Sequence, residues 1–341
     1  MARAAVKGQA RTTRRSPARK AARPNPARKS TQASARKAAP DIPKAQKRVL
    51  AWFDVHGREF PWREQRDAYP TMVAEVMLQQ TQTGRVGPSF EAFLKRFPTL
   101  SSLAHASAMD VIAAWKGLGY NRRAVNLQRA AQVIEHDHLG IVPEDPKALR
   151  ALPGIGEYSA HAIACFAYDS QVPVIDVNVS RVLSRAALGM DEDVAPAPKV
   201  ASAARAWLPS GEAYSWNQAL MDIGAMLCRH EHPLCGKCPL RSACVFHGAG
   251  KDKRPPAPRP AKEPFEGSRR QKRGGIIDVL RAAAADGITL ASLGKVVHPN
   301  GEDRDLGWLV ELLEGLERDG LVSLTPGARR GSPRGVVRLP A

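Results

Sequence analysis

Four of the five cysteines, Cys228, Cys235, Cys238 and Cys244, follow a C-x6-C-x2-C-x5-C order. Four thiolates converging on one point hold a tetrahedral zinc or a four-iron, four-sulfur cluster, and the spacing alone does not choose between them. Lys237, Arg241 and turn-forming Pro and Gly interleave the four, which speaks against unrelated core cysteines. Cys165, alone on an apolar helix face with Ile163 and Phe166, reads as core. The stretch Leu152-Pro153-Gly154-Ile155-Gly156-Glu157-Tyr158 lies between helix-forming segments and reads as a helix-hairpin-helix. Gly154 and Gly156 permit a tight turn whose backbone N–H groups bind a DNA phosphate without reading its sequence. Two carboxylates complete the set. Glu75 is followed by Val76, Met77 and Leu78, an apolar setting that raises its pKa, and Asp176 sits at a helix start, which favours its ionised form.

The elements that must position these groups are mostly helical. From residue 45 to 247 the chain patterns as short amphipathic helices, among them Val73–Gln80, Ala108–Trp115, Asn126–Ile134 and Ser159–Phe166. Only Val172–Ile175 is strand-like, too little for a sheet. Residues 248–272 are rich in Pro, Lys and Arg and read as a linker. Beyond it, Gly275–Ala285, Leu290–Val297 and Asp305–Asp319 pattern as helices, and Leu321–Thr325 with Val336–Leu339 as a ribbon whose loop carries Arg329, Arg330 and Arg334. This predicts a small winged-helix-like module over 273–341. The fold class is therefore mainly α with a minor β ribbon.

The formal net charge is +18, which calls for a polyanionic partner, nucleic acid before membrane. Twelve Lys and Arg and no acid fall in the first 40 residues, so residues 1–44 read as a disordered basic tail, with an organellar transit peptide as the alternative. No long apolar run or secretory pattern is present, and the expectation is a cytoplasmic, nucleoid-associated bacterial protein, monomeric and without membrane contact.

The order of hairpin, Asp176 and cysteine loop resembles that of the helix-hairpin-helix, endonuclease III-like DNA glycosylases, from Gln46 to His247. Glu75-Val76-Met77-Leu78-Gln79-Gln80-Thr81-Gln82 is similar to the catalytic segment of the MutY-type adenine DNA glycosylases within that superfamily. Phe60-Pro61-Trp62-Arg63, Gly117-Leu118-Gly119-Tyr120 and Trp216–Ala225 resemble it too. The resemblance implies a helix-hairpin-helix glycosylase fold with a four-cysteine cluster loop over 228–244 holding [4Fe-4S] in preference to zinc. It implies a monofunctional base excision repair enzyme that hydrolyses the N-glycosidic bond of adenine opposite 8-oxoguanine or guanine in double-stranded DNA. Lyase members carry a lysine where this chain has Tyr158, and a phenol cannot form their Schiff base.

By the same resemblance, Glu75 is general acid and later base, and Asp176 stabilises the oxocarbenium ion. Tyr158 bonds near the pair, and Asn178 orients the attacking water or the backbone. Gln80 and Tyr120 fill and wedge the duplex beside the opposite base. Trp62, Arg63 and Gln218 line the adenine pocket, with Gln79, Gly154 and Gly156 on the DNA side. Val177 replaces a usual Gly, and 273–341 is too short for the Nudix-like domain common in the family. Two rival readings are a mismatch thymine or uracil glycosylase and a non-enzymatic metal-stabilised DNA-binding regulator.

Overall fold

The computed structural model describes residues 40–253, 264–283, 286–297 and 306–341. The basic tail therefore lies outside the described residues up to residue 39. Its last residues do not belong to it: Asp41 caps a helix over Ile42–His56 by accepting from the Lys44 N–H, with Pro43 set in the first turn. Most of the Pro-rich segment, 254–263, is likewise outside the description.

Two apolar cores flank the region of interest. The first is built on the Ala68–Leu78 helix, whose residues from Thr71 to Met77 are all buried. A helix apolar nearly all round must be enclosed on every side, and here the helices Thr83–Arg96, Arg122–Asp137 and Glu157–Tyr168 help to do so. The second core joins Ile42–His56, Val177–Ala186 and Ala213–Met226, with Cys228, Cys238 and Cys244 at its margin. Val172–Ile175 has no regular secondary structure and pairs with no strand among the described residues.

The C-terminal segment has its own core from the helices Arg269–Ala282, Leu290–Val297 and Gly307–Arg318. The first of these begins at Arg269, not Gly275, because Ser268 caps it through the Gln271 N–H, so the end of the expected linker is already helix. The expected two-stranded ribbon is a three-stranded antiparallel sheet of order β1-β3-β2, with β1 Ile288–Thr289, β2 Ser323–Leu324 and β3 Val336–Arg338. Its loop contains a short Pro326–Arg329 helix, and Arg329 is ion-paired with Glu317 at 2.8 Å instead of standing free.

This segment is not a separate body. Ile112 and Val125, from the helical part, are buried within its core. Arg281 reaches across to donate to the Ile112 carbonyl at 2.8 Å and to Asn121 Oδ1 at 2.9 Å. Among the described residues, no helix is long and apolar enough to cross a membrane.

Candidate active site

The two carboxylates come from the two cores. Glu75 sits inside the last turns of the Ala68–Leu78 helix, fully enclosed. Burial pushes its carboxyl up to about 7, helped by the charge of Asp176 and opposed by hydrogen bonding to Tyr158 and by the Arg63 guanidinium. Its Oε2 is buried with no hydrogen-bond partner among the described residues. A buried acid near neutral pKa with one unsatisfied oxygen is placed to give a proton to something that enters the site.

Asp176 is the N-cap of the Val177–Ala186 helix. Its Oδ1 accepts the Val179 N–H at 2.7 Å and its Oδ2 accepts from Asn178 Nδ2 at 2.8 Å. Burial raises its pKa, while these bonds and Arg181 pull the other way, so the helix start offsets the desolvation that a lone buried carboxylate would suffer. Tyr158 faces both carboxylates, and its own hydroxyl is held well above the ordinary range by burial and by their charges. It stays a neutral donor. Val177 is 73 % exposed, so its side chain meets no crowding where a Gly was expected.

Several other expected residues make contacts within the protein that hold the site. Arg63 makes a two-pronged pair with Asp222, at 2.9 and 3.0 Å, and Asp222 is 0 % exposed and also takes Arg58. Trp62 is stacked on Phe60 at 4.7 Å and edge-on to Phe90, a packing position. Gln79 donates to Ser159 Oγ at 3.1 Å and to the Gly154 carbonyl at 3.3 Å, tying the Glu75 helix to the hairpin. Gln218 is buried on the Ala213–Met226 helix.

The hairpin lies between the helices Pro146–Ala151 and Glu157–Tyr168, with Gly156 as the N-cap of the second. Gly154 has φ +78°, and a Cβ there would meet Asn126 Cβ at 2.8 Å, so Gly is required on both counts. At Gly224 the reason is proximity alone: a Cβ would fall 2.5 Å from that of Asn178. Arg181 secures this junction from beneath, donating to Asn178 Oδ1, the Gly224 carbonyl and the Cys228 carbonyl.

Gln80 and Tyr120 line a cleft of about 1050 Å³ that neither carboxylate lines. Both have left-handed backbones, φ +54° and +46°. The far wall is the C-terminal segment, with Phe265, Arg270 and Arg273; Arg270 donates to the Tyr120 hydroxyl at 2.8 Å.

All four cysteines Cys228, Cys235, Cys238 and Cys244 line one small apolar cavity with Leu227, Pro233 and Phe246. Arg185 donates to Cys228 Sγ at 3.8 Å and the His247 N–H to Cys244 Sγ at 3.5 Å, contacts that favour thiolates. The donor set thus fits a thiolate-bound metal centre. Cys235 also has its Sγ within 4.8 Å of ligand atoms of His247 and Asp252. His230, between Cys228 and Cys235 in the chain, hydrogen-bonds Glu192 at 3.0 Å.

Arg58, Arg123, Arg181 and Asp222 were not singled out by sequence reasoning, because each acts through a partner distant in the chain. Residues 73–209 match the model of the HhH-GPD superfamily of base excision DNA repair proteins. The adenine DNA glycosylase of Mycobacterium tuberculosis (strain H37Rv) is 40 % identical, the alignment covering 84 % of this chain and 92 % of that one. The enzyme of the same name from Mycolicibacterium smegmatis is 39 % identical over 82 % of this chain and 93 % of that one. A solved thermostable thymine-DNA glycosylase superposes with a TM-score of 0.57 at 28 % identity, over 61 % of this chain and 98 % of that one.

Proposed function

The chain belongs to the adenine DNA glycosylases of the HhH-GPD base excision repair superfamily, and from that membership we propose that it hydrolyses the N-glycosidic bond of adenine mispaired with 8-oxoguanine or guanine. It is a DNA glycosylase, and its substrate is DNA. The observation that carries the finer reading is the pair of buried carboxylates facing Tyr158, Glu75 raised to about 7 and Asp176 hydrogen-bonded as the cap of a helix.

In this mechanism Glu75 protonates a ring nitrogen of the extruded adenine. The bond from C1′ to the base then breaks with its electron pair going to the base. The sugar becomes an oxocarbenium ion, which the carboxylate of Asp176 stabilises, much as paired carboxylates divide the work in glycoside hydrolysis. Water adds at C1′ and yields its proton to the carboxylate that Glu75 has become. Tyr158 and Asn178 orient these groups, and Arg63 and Asp222 fix the floor beneath Glu75.

Base release from duplexes holding A:8-oxoguanine, A:G, T:G and U:G tests the reading. Release of adenine from the first two, with strand cleavage only after alkali and little borohydride-trapped adduct, is the expected result. Release of thymine or uracil alone would move the chain to the mismatch glycosylases, which Tyr158 and Asp176 fit equally. No release from any of these duplexes would overturn the assigned substrate.

The cysteines hold a [4Fe-4S] cluster in this reading. The support for it is the C-x6-C-x2-C-x5-C order, which resembles the family's cluster loop, together with the single cavity that all four cysteines line. When bound, the cluster supplies a fixed scaffold for the Cys228–Cys244 loop and no redox step. Purified protein should be brown, with broad absorbance near about 400 nm. Colourless protein with stoichiometric zinc would overturn the assignment.

A further inference from the structure

Arg123, in the first turn of the Arg122–Asp137 helix, is 9 % exposed and hydrogen-bonds to six oxygens, none of them a carboxylate. Nη1 donates to the carbonyls of Val76, Met77 and Gln79, at 3.0, 2.8 and 2.6 Å. Nη2 donates to Thr81 Oγ1 and to the carbonyls of Leu118 and Gly119, at 3.0, 3.1 and 3.0 Å. Part of this is a cap on the last carbonyls of the Ala68–Leu78 helix, but the contacts reach further. The guanidinium gathers the end of the Glu75 helix and the Gly117–Tyr120 turn, two segments about forty residues apart in the chain.

Two of the six acceptors carry the argument. The Gln79 carbonyl belongs to the peptide on which Gln80 hangs, and the Gly119 carbonyl to the peptide on which Tyr120 hangs. Because a peptide is planar, anchoring its oxygen sets the plane about which the next residue's φ is measured. Gln80 and Tyr120 are the two left-handed non-glycine residues of this cleft, a conformation that persists only where the surroundings impose it. Stacking adds to the hold, since the guanidinium lies 5.7 Å from the Tyr120 ring and 5.4 Å from that of Trp115.

We propose that Arg123 is the positioning residue that sets Gln80 and Tyr120 as a matched pair for extruding the target base, by gripping the carbonyls of Gln79 and Gly119 with its two amino groups. This rests on the reading that Gln80 and Tyr120 enter the duplex. Lysine keeps the charge but has one nitrogen with three donors, so it cannot hold both turns in the planar fork that Arg provides.

The test uses full-length Arg123→Lys on two substrates: adenine paired with 8-oxoguanine, and adenine in a single-nucleotide bulge, where extrusion costs less. Single-turnover release from the paired duplex should fall about 100-fold, while release from the bulge falls less than about threefold. The fluorescence rise of a 2-aminopurine beside the paired adenine on enzyme binding should be lost. Thr81→Ala, which removes one acceptor, should give the same split with smaller amplitude, and it carries the test if Arg123→Lys does not fold. Equal losses on both substrates, or a paired rate within about threefold of wild type, would overturn the proposal. Tyr120→Ala is run alongside. If it splits the substrates and the Arg123 and Thr81 variants do not, the proposal fails alone; if it treats them alike, the insertion reading and the proposal fail together.

Discussion

Glu75→Gln should slow adenine release in a single turnover by on the order of 10³-fold or more while duplex affinity stays within a few-fold of wild type. The amide preserves the shape of a side chain enclosed on all sides but has no proton to give. The pH dependence follows from the same group. With its pKa raised to about 7, the protonated acid dominates below neutrality, and the rate should fall about tenfold per pH unit above it. Stability runs in the same direction. The folded state binds the Glu75 proton more tightly than the unfolded chain, so stability is lost as pH rises between 4.5 and about 7, a gap worth on the order of 3 kcal/mol. Glu75→Gln should therefore melt at higher temperature than wild type at pH 8 and lose most of that advantage at pH 5. Release within tenfold of wild type would remove Glu75 from the mechanism.

Asp176→Asn is expected to cause a loss of similar size for a different reason. Asn is as good an N-cap as Asp, so the bond to the Val179 N–H can persist and the Val177–Ala186 helix should keep its start. The negative charge facing the oxocarbenium ion is gone, and with it a contribution worth several orders of magnitude in rate. A second signature separates this from misfolding. The Asp176 charge raises the pKa of Glu75, so in the residual activity of Asp176→Asn the alkaline limb should move to lower pH. A single-turnover pH profile reads both effects. An unshifted limb with activity within tenfold of wild type would place the stabilising charge elsewhere.

What could be read from the sequence was whatever is local. The apolar surroundings of Glu75 mark a buried helix, Pro153-Gly154-Ile155-Gly156 marks a turn into a helix, and the cysteine spacing brings four sulfurs to one cavity. What escaped was tertiary. Arg123 and Arg181 look like members of solvated helix faces, and only the folded chain reveals that four of Arg123's acceptors and two of Arg181's lie more than forty residues away. Gln79 and Arg63 could be singled out in the sequence, but their bonds to Ser159 and Asp222 could not, because those partners are 80 and 159 residues distant. Strand β1 has two residues and no periodicity to detect. The early start of the Arg269–Ala282 helix was hidden by a basic, Pro-adjacent composition that its Ser268 cap overrides.

The core shared through Ile112 and Val125 bears on how such a chain can change over evolutionary time. A segment with an independent core can be gained or dropped like a bead on a string, leaving the remainder soluble. Here its loss would strip two aliphatic side chains of their cover and leave the Ile112 carbonyl without Arg281. The helical part and the C-terminal segment are therefore bound to co-evolve. Removing residues beyond the linker should expose apolar surface at Ile112 and Val125, which polar substitutions at those two positions would relieve.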